Sequence, residues 1–274
     1  MTTSPHGRTI GRRPAPPLPR PRRGLWRRAL RRACIALRLY PHVTSQRMPF
    51  KTVEFDAVLR KVAIAPTDRI LDLGCGIGHQ TLVLGSRCRE IVGVDIDETV
   101  IARARDQAVA FAGEVNASFY GGRVQDLPLA PASFDKVFSF CVIEHIPDCD
   151  SVLRTLRSLL APGGQLLLSA DSLATLTDPV VIEEHRRQHF VHQYFTADTL
   201  RECLTRAGFV VDEIHSIFRS RFAGREFVRA LHRGFRYGFV RALITSWRLR
   251  LHDAFHARTA PGIFLVARCH RPTI

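Results

Sequence analysis

From about residue 50 onward, short apolar runs alternate with amphipathic stretches of helical spacing, which strongly constrains the fold. The apolar runs predict strands at 69–73, 91–94, 117–120, 136–141, 165–170 and 209–218. The intervening stretches predict helices at 50–63, 78–87, 97–112, 148–160 and 196–207, and the segment after 170 is predicted to be irregular. Repeated strand–helix–strand units form parallel sheets covered by helices on both faces. The sequence therefore predicts an α/β fold with a doubly wound, mostly parallel sheet.

Positive charge is concentrated in two segments of the 274-residue chain, whose formal net charge is +15. Residues 1–53 contain thirteen Arg and Lys and no acid, and residues 219–258 contain ten Arg and two acids. The remainder is mildly acidic. We therefore predict a basic extension over 1–47 and a globular domain over 48–274, with a basic insertion over 219–260. Only three of the 40 cations are Lys, so part of this basicity can reflect genome composition.

The cysteine pattern and the length of the apolar runs exclude several classes of protein. The seven Cys form no C-x-x-C motif and no cluster at zinc-ligand spacing, so we expect reduced thiols in a cytoplasmic protein and no metal. No apolar run reaches the roughly 18–20 residues of a membrane-spanning helix. The chain is therefore not expected to cross a bilayer.

The N-terminal extension has two parts. Residues 1–21 contain six Pro and no acid, and are expected to be extended and disordered. Residues 22–40 place apolar residues at helical spacing among several Arg, which predicts a short cationic amphipathic helix. Three interpretations remain open for it: contact with an anionic membrane, an organelle-targeting segment, or translation from a start upstream of Met48.

A glycine-rich turn follows the strand at 69–73 and has the sequence GCGIG over 74–78. Such a turn lets a ligand approach the backbone and the N–H groups of the next helix. A dinucleotide fingerprint requires Gly at position 79, which is His79, and no Gly-Lys-Ser/Thr follows as in triphosphate-binding loops. The turn therefore suits a ligand that carries ribose without a pyrophosphate.

Together with this turn, five further motifs in order resemble the class I S-adenosylmethionine-dependent methyltransferases. The motifs are LDLGCGIG (71–78), GVDID (93–97), QDLPL with SFD (125–135), FSFCVIEHI (138–146), LAPGG (160–164) and AGF (207–209). The resemblance covers about 50–218 and a terminal strand at 262–269. It implies a seven-stranded Rossmann-like sheet with a helical insertion before the last strand, and S-adenosylmethionine as the cofactor.

The resemblance also implies roles for individual residues. Asp95 would accept hydrogen bonds from the ribose hydroxyls, Asp126 and Leu127 would lie beside adenine, and Asp72 would attract the ammonium of the methionine moiety. From the residues alone, Asp72 and Asp126 could also be turn acids. The predicted cofactor-binding residues are Asp72, Gly74, Cys75, Gly76, Gly78, Asp95, Ile96, Asp126, Leu127 and Cys141.

A hydroxyl acceptor must lose a proton during methyl transfer, and His or a carboxylate usually takes it. Glu144 and His145 follow the fourth predicted strand, and His185, His189 and His192 follow the fifth. The predicted catalytic residues are His145, Glu144 and His189. Alternatively, Glu144 and His145 begin a helix, and the later histidines lie in a solvated loop.

The absence of one motif and the presence of another restrict the chemical class of the methyl acceptor. Asn/Asp-Pro-Pro-Tyr/Phe, typical of enzymes that methylate exocyclic base nitrogens, does not follow the fourth strand. EHIPD over 144–148 instead resembles the branch that modifies quinones, lipids, sugars and other small metabolites. We therefore expect O- or C-methylation of a small-molecule or lipid-linked acceptor. The alternatives are an RNA methyltransferase and a scaffold that retains the fold without catalysis.

The insertion at 219–260 carries an apolar residue at every fourth position from Phe227 to Phe255. At 3.6 residues per turn such a row winds around a straight helix, so Gly234 and Gly238 predict a break between two helices. Three interpretations remain open: a lid over the domain, a surface for an anionic membrane or lipid-linked acceptor, and an RNA grip. Membrane contact through 22–40 and 219–260 would place the protein at the inner face of a membrane.

Overall fold

The structure, a computed structural model, describes residue 33 and residues 47–273, apart from 61, 110–114 and 258. The predictions for 1–40, including the amphipathic helix, lie outside the described residues except at Ala33. No helix in the described part of the chain is both long and apolar enough to span a membrane.

Strands and helices alternate as the sequence predicts. The strands are β1 (Arg69–Leu73), β2 (Glu90–Asp95), β3 (Ala117–Gly121), β4 (Phe134–Phe140), β5 (Leu160–Asp171), β6 (Val210–Ile217) and β7 (Phe264–His270). The helices are α1 (Pro49–Leu59), α2 (His79–Gly85), α3 (Glu98–Val109), α4 (Cys149–Leu159), α5 (Pro179–His189), α6 (Ala197–Arg206), α7 (Arg221–Arg233) and α8 (Phe239–Ala254).

The seven strands form one sheet in the order β3-β2-β1-β4-β5-β7-β6. All neighbouring pairs are parallel except those of β7, which runs antiparallel to both β5 and β6. Two clusters of buried apolar side chains form the core. The seven-stranded, mostly parallel sheet is confirmed, and its parallel strands end at a common edge where ligands bind in such folds.

The stretch after β5 differs from the prediction because it contains a regular helix, α5. Asp178 accepts a hydrogen bond from the Val180 N–H at its N-terminus, Pro179 occupies the first turn, and Phe190 ends the helix in a left-handed conformation. Only Val181 and His185 of α5 are buried. Two buried positions give no helical repeat of apolar residues, so the hydrophobic pattern could not reveal this helix.

The insertion forms two helices, as the glycines predict. Gly234 follows α7 with a φ of 85°, a conformation that side-chain-bearing residues rarely adopt, and Gly238 immediately precedes α8. α8 packs against α1, which also contacts β5 and β7. The insertion is thus anchored on the helix that covers this part of the sheet.

Candidate active site

The turn between β1 and α2 is shaped by three glycines with positive φ. The φ angles are 69° at Gly74, 51° at Gly76 and 80° at Gly78. A Cβ on Gly74 would lie 2.2 Å from Val142 Cγ2, so the side chain is excluded by contact as well as by conformation. The Gly74 and Cys75 N–H groups donate to the Val94 carbonyl at 2.7 and 3.0 Å. These two hydrogen bonds therefore hold the turn against the end of β2.

Asp95 ends β2 beside this turn and fixes its conformation. One carboxylate oxygen accepts a hydrogen bond from the Gly76 N–H at 2.9 Å, and the other accepts from the Asp97 N–H at 3.0 Å. The carboxylate also lines the adjacent cavity. Its position is suitable for accepting hydrogen bonds from the vicinal hydroxyls of a ribose.

A cavity of about 600 Å³ opens at the carboxyl ends of β1, β2 and β4. Of the residues predicted from sequence, it brings together Gly74, Asp95, Ile96, Cys141 and His145. The Ile96 side chain is 73% exposed, which leaves an apolar surface available at the rim. Sequence reasoning missed other lining residues, including Gly122, Arg123, Val124, Gln125, Val142, Ile146 and Pro147.

Six predicted cofactor residues are not among those that line this cavity: Asp72, Cys75, Gly76, Gly78, Asp126 and Leu127. Gly76 and Gly78 act through the backbone of the turn, and the Cys75 side chain is buried in the core. Leu127 packs against the second apolar cluster. These residues therefore support the cavity from behind.

Asp126, predicted to lie beside adenine, is not among the residues that line the cavity. The residue lies in a short 3₁₀ turn, Val124–Asp126, that directs Val124 and Gln125 to the cavity. The Asp126 side chain is 70% exposed and lies 4.0 Å from Arg123 Nε. Gln125, one position earlier in the turn, lines the cavity instead. The motif alone does not show which residue of the turn faces the cavity.

Asp72 lies beneath the turn and is almost completely buried. Thr81 Oγ1 donates to Asp72 Oδ2 at 2.6 Å, and Asp72 Oδ1 has no hydrogen-bond partner among the described residues. Burial raises the pKa of this carboxyl to about 7, and the hydrogen bond from Thr81 opposes that rise. A buried, partly unpaired carboxyl would be stabilised by a nearby cation. The site therefore fits the positively charged methionine moiety of S-adenosylmethionine.

His145 is the predicted catalytic residue that lines the cavity. Its Nδ1 lies 3.4 Å from the Phe190 carbonyl oxygen, and a carbonyl can only accept a hydrogen bond. With the proton on Nδ1, this contact becomes a hydrogen bond and Nε2 keeps a lone pair. Partial burial lowers the pKa of this imidazole, so it is neutral near pH 7. A neutral imidazole can accept a proton at its unprotonated ring nitrogen.

Glu144 is fully buried and serves as a hydrogen-bond acceptor that holds this region together. Its Oε1 accepts from the Asp171 N–H at 3.1 Å, and its carbonyl accepts from the N–H groups of His192 and Gln193. Burial raises the pKa of the carboxyl well above its ordinary value. Glu144 therefore ties the turn Ile143–His145 to the segment after α5.

His189 lies at the end of α5, outside the lining of the cavity. Its ring is exposed, 4.6 Å from the ring of His185 and 5.7 Å from that of Phe235. His185 is buried, and its Nδ1 lies 3.0 Å from the Tyr194 hydroxyl. Burial lowers the pKa of His185 to about 3, so it remains neutral. The structure therefore brings His145, and not His189, to the cavity.

A buried polar cluster beneath α1 was not predicted. Lys51 Nζ lies 3.0 Å from Glu54 Oε2 and donates to the Phe140 carbonyl at 3.4 Å. Ser169 Oγ and Cys141 Sγ both donate to Glu54 Oε1. Burial alone would lower the pKa of Lys51, but the acidic groups of Cys141, Glu54 and Asp171 raise it above its ordinary value. The available signal was that Lys51 is one of only three lysines in an arginine-rich chain.

Comparison with known proteins identifies the fold and the family. Residues 64–208 match the family model described as "Methyltransferase domain". The structure resembles phosphoethanolamine N-methyltransferase 2 of Haemonchus contortus, solved with phosphomonomethylethanolamine and S-adenosylhomocysteine. The TM-score is 0.61 at 18% identity, and the likeness covers 91% of this chain and 61% of that one. At this identity the likeness concerns the fold.

Curated relatives are more similar in sequence but differ in their acceptors. A "probable S-adenosylmethionine-dependent methyltransferase" of Mycolicibacterium smegmatis is 30% identical over 60% of this chain. A tRNA U34 carboxymethyltransferase of Methylococcus capsulatus is 34% identical over 54% of it. The matches span 60% and 47% of these relatives' own lengths. An arsenite methyltransferase of Halobacterium salinarum and ubiquinone biosynthesis O-methyltransferases of Xanthomonas campestris match at 30% and 33% identity.

The family match covers more than half of the chain, including β1 to β5 and the glycine turn. The cavity lies where β1, β2 and β4 end. The chain therefore belongs to the class I S-adenosylmethionine-dependent methyltransferases.

Proposed function

We propose that the protein transfers a methyl group to a hydroxyl of a small-molecule or lipid-linked acceptor, with His145 as the general base. The observation that carries this proposal is that His145 lines the same cavity as Gly74 and Asp95. A base at that position is close to the expected donor site. The apolar side chains of Val142, Ile146 and Pro147 line the same cavity and favour an acceptor with apolar surface.

In such a reaction, some residues of the chain bind the cofactor and another accepts the proton of the methyl acceptor. When bound, S-adenosylmethionine supplies an electrophilic methyl group for in-line displacement by the acceptor oxygen. Gly74 permits close approach to the backbone, and Asp95 accepts hydrogen bonds from the ribose. His145 Nε2 takes the acceptor proton, while the Phe190 carbonyl holds the opposite ring nitrogen. Orientation and exclusion of water can supply much of the acceleration in such a transfer.

RNA is the main alternative acceptor. The ten Arg of 219–258 could contact phosphates, and one relative acts on tRNA by name. Phosphate contacts would make binding fall steeply with salt concentration. The present proposal favours a small or lipid-linked acceptor because EHIPD over 144–148 resembles that branch and follows β4 directly.

The proposal is tested by incubating the full-length protein with methyl-labelled S-adenosylmethionine and host-cell extract. Label is then counted in lipid, soluble small-molecule, RNA and protein fractions. We expect label in the lipid or small-molecule fraction, bound through oxygen. His145→Gln should lower the rate by about 10²–10⁴-fold while cofactor affinity stays within about threefold.

His270→Gln is the matched control. His270 pairs with Asp212 at the end of β7 that lies away from the carboxyl ends of the parallel strands, and therefore away from the cavity. This variant should retain full activity. Label in RNA, or a His145→Gln variant with undiminished rate, would contradict the proposal. Cofactor binding without any labelled product would favour a non-catalytic scaffold.

A further inference from the structure

Helix α8 buries four small or polar residues against the protein and one large apolar residue, Leu249. Its buried residues are Ala242, Thr245, Ser246, Leu249 and Asp253. Helices at a protein surface normally show the opposite arrangement, with large apolar residues inward. Most large apolar residues of α8 are therefore left on its outward face.

The orientation of α8 is fixed by the buried carboxylate of Asp253. Its oxygens accept hydrogen bonds from the Phe218 N–H at 2.5 Å and the Arg219 N–H at 2.7 Å. These contacts join the end of α8 to the end of β6. Rotation of α8 would break both bonds and leave a buried charge without partners, so the polar side stays inward.

The outward face of α8 is a continuous apolar stripe. It consists of Val240, Ile244, Trp247, Leu251 and Phe255, which are between 39% and 80% exposed. At about 100° per residue these five positions fall within a sector of roughly 80°. Large apolar side chains that line up on one exposed face indicate an interaction surface.

Arginines flank this stripe on both sides. By helical position, Arg241 and Arg248 lie along one edge and Arg250 along the other. The guanidinium groups of Arg241 and Arg248 lie over the rings of Tyr237 and Phe222. Arg241 also pairs with Glu226, and Arg250 pairs with Asp56. Arg248 has no acidic partner in the part of the chain that the structure describes, so its charge is available to an anionic layer.

The neighbouring helix α7 adds uncompensated positive charge. Arg221, Arg225 and Arg233 line a groove beside α5, and none of them pairs with an acid in the described part of the chain. The segment 219–258 carries ten Arg against Glu226 and Asp253. The insertion therefore combines an apolar stripe with a strongly positive surround, which complements a surface that is both apolar and anionic.

We propose that the apolar stripe of α8 lies in the headgroup region of a bilayer that contains anionic lipids. The five side chains enter the boundary with the acyl chains, Arg248 binds a lipid phosphate, and the positive charge of α7 attracts the anionic surface. The inference does not depend on the identity of the methyl acceptor.

Tryptophan fluorescence tests the proposal at the stripe itself. The chain has two Trp, so Trp26→Phe in the full-length protein leaves Trp247 as the only reporter. It is mixed with vesicles of phosphatidylcholine alone or with added phosphatidylglycerol, without cofactor. We expect a blue shift of the Trp247 emission and quenching by brominated lipid only in the anionic vesicles.

Variants on exposed positions separate binding from folding. Ile244→Gln with Leu251→Gln should weaken vesicle binding at least about tenfold, because it removes two apolar side chains from the stripe. The control is Val180→Gln at an exposed apolar residue on α5, and this variant should bind like the parent. Circular dichroism confirms that all variants are folded.

Three outcomes would overturn the proposal. The first is vesicle binding without any change in Trp247 emission, which would assign binding to another segment. The second is vesicle binding by the double variant that equals binding by the control. The third is a dimer in solution that the double variant abolishes, which would make the stripe a contact between copies. Because cofactor is absent throughout, failure here is distinguishable from failure of methyl transfer.

Discussion

The buried carboxyl of Asp72 is expected to favour cofactor binding but to lower the free energy of unfolding of the cofactor-free protein at high pH. Burial raises its pKa from 3.8 to about 7. The native state therefore holds this proton where the unfolded chain has lost it, and stability falls as the pH rises through that interval. We expect Asp72→Asn to increase the free energy of unfolding by about 1–3 kcal/mol at pH 8, with little change below pH 4. Urea unfolding without cofactor at both pH values measures this difference.

The same substitution should weaken cofactor binding at least about tenfold, because the amide cannot balance a positive charge. Isothermal titration with S-adenosylmethionine measures the affinity. Thr81→Val is the control: it removes the hydrogen bond to Asp72 Oδ2 but keeps the carboxyl. Unchanged affinity in Asp72→Asn would show that this carboxyl does not serve the cofactor.

Two glycines of the turn provide a matched pair of substitutions. A Cβ on Gly74 would clash with Val142, whereas a Cβ on Gly76 would have no heavy atom within 4 Å. Both have positive φ, so Gly76→Ala carries only the conformational cost of about 1 kcal/mol. We expect Gly74→Ala to lose about 2–4 kcal/mol more and to abolish cofactor binding. Equal losses of stability in thermal unfolding would contradict the role of the Val142 contact.

From the sequence we could predict those site residues whose position follows from local backbone geometry. Gly74 and Asp95 occupy a turn and a strand end that a motif encodes directly. The cluster beneath α1 leaves no such signal, because Glu54 and Ser169 are 115 residues apart and meet only when α1 covers the sheet. Asp126 shows the intermediate case, in which the motif finds the turn but not which side chain of the turn faces the cavity.

At the scale of secondary-structure elements, α1 is held by an ion pair whose carboxylate is buried and whose lysine is partly exposed. Lys51 and Glu54 lie one helical turn apart, and the Glu54 side chain is fully buried. Lys51→Met removes the ammonium and leaves a buried carboxylate without a counter-ion, so we expect a loss of about 3–5 kcal/mol in unfolding free energy. Guanidinium unfolding monitored by circular dichroism measures the loss.

The double variant Lys51→Met with Glu54→Gln tests the cause. It removes both charges, and the neutral amide can still accept the hydrogen bond from Ser169. The double variant should therefore recover most of the stability lost by the single one. A double variant as unstable as Lys51→Met would mean that packing of the lysine stem, rather than charge, holds α1.

Elements were predictable where burial follows a simple period. The strands of a parallel sheet are buried on both faces and read as apolar runs, and Gly234 and Gly238 marked the break between α7 and α8. α5 was missed because its ends are set by Asp178, Pro179 and Phe190 rather than by an apolar repeat. β5 begins at Leu160, five residues earlier than predicted, because Gly163 and Gly164 read as a turn.

At the scale of the whole molecule, the strand order brings the functional elements to one edge. β1 lies between β2 and β4, so the glycine turn, Asp95 and the turn Ile143–His145 meet although they are far apart in sequence. Two apolar clusters hold the sheet beneath this edge. Cofactor binding at one edge is therefore coupled to unfolding of the domain as a whole.

This coupling predicts a thermal shift. S-adenosylmethionine at about 100 times its Kd stabilises the native state by about 2.7 kcal/mol, if it binds only the folded chain. For a domain of this size, the Tm should rise by about 5–10 °C. Differential scanning calorimetry of the full-length protein, with and without cofactor, measures the shift.

The variants then separate binding from catalysis. His145→Gln should keep the full thermal shift and lose methyl transfer, because His145 is proposed to act only on the acceptor proton. Gly74→Ala should lose both, because it destroys the turn. If His145→Gln also lost the shift, His145 would belong to the cofactor site rather than the acceptor site, and the base would have to be sought elsewhere. His189, at the end of α5, would then be the first candidate.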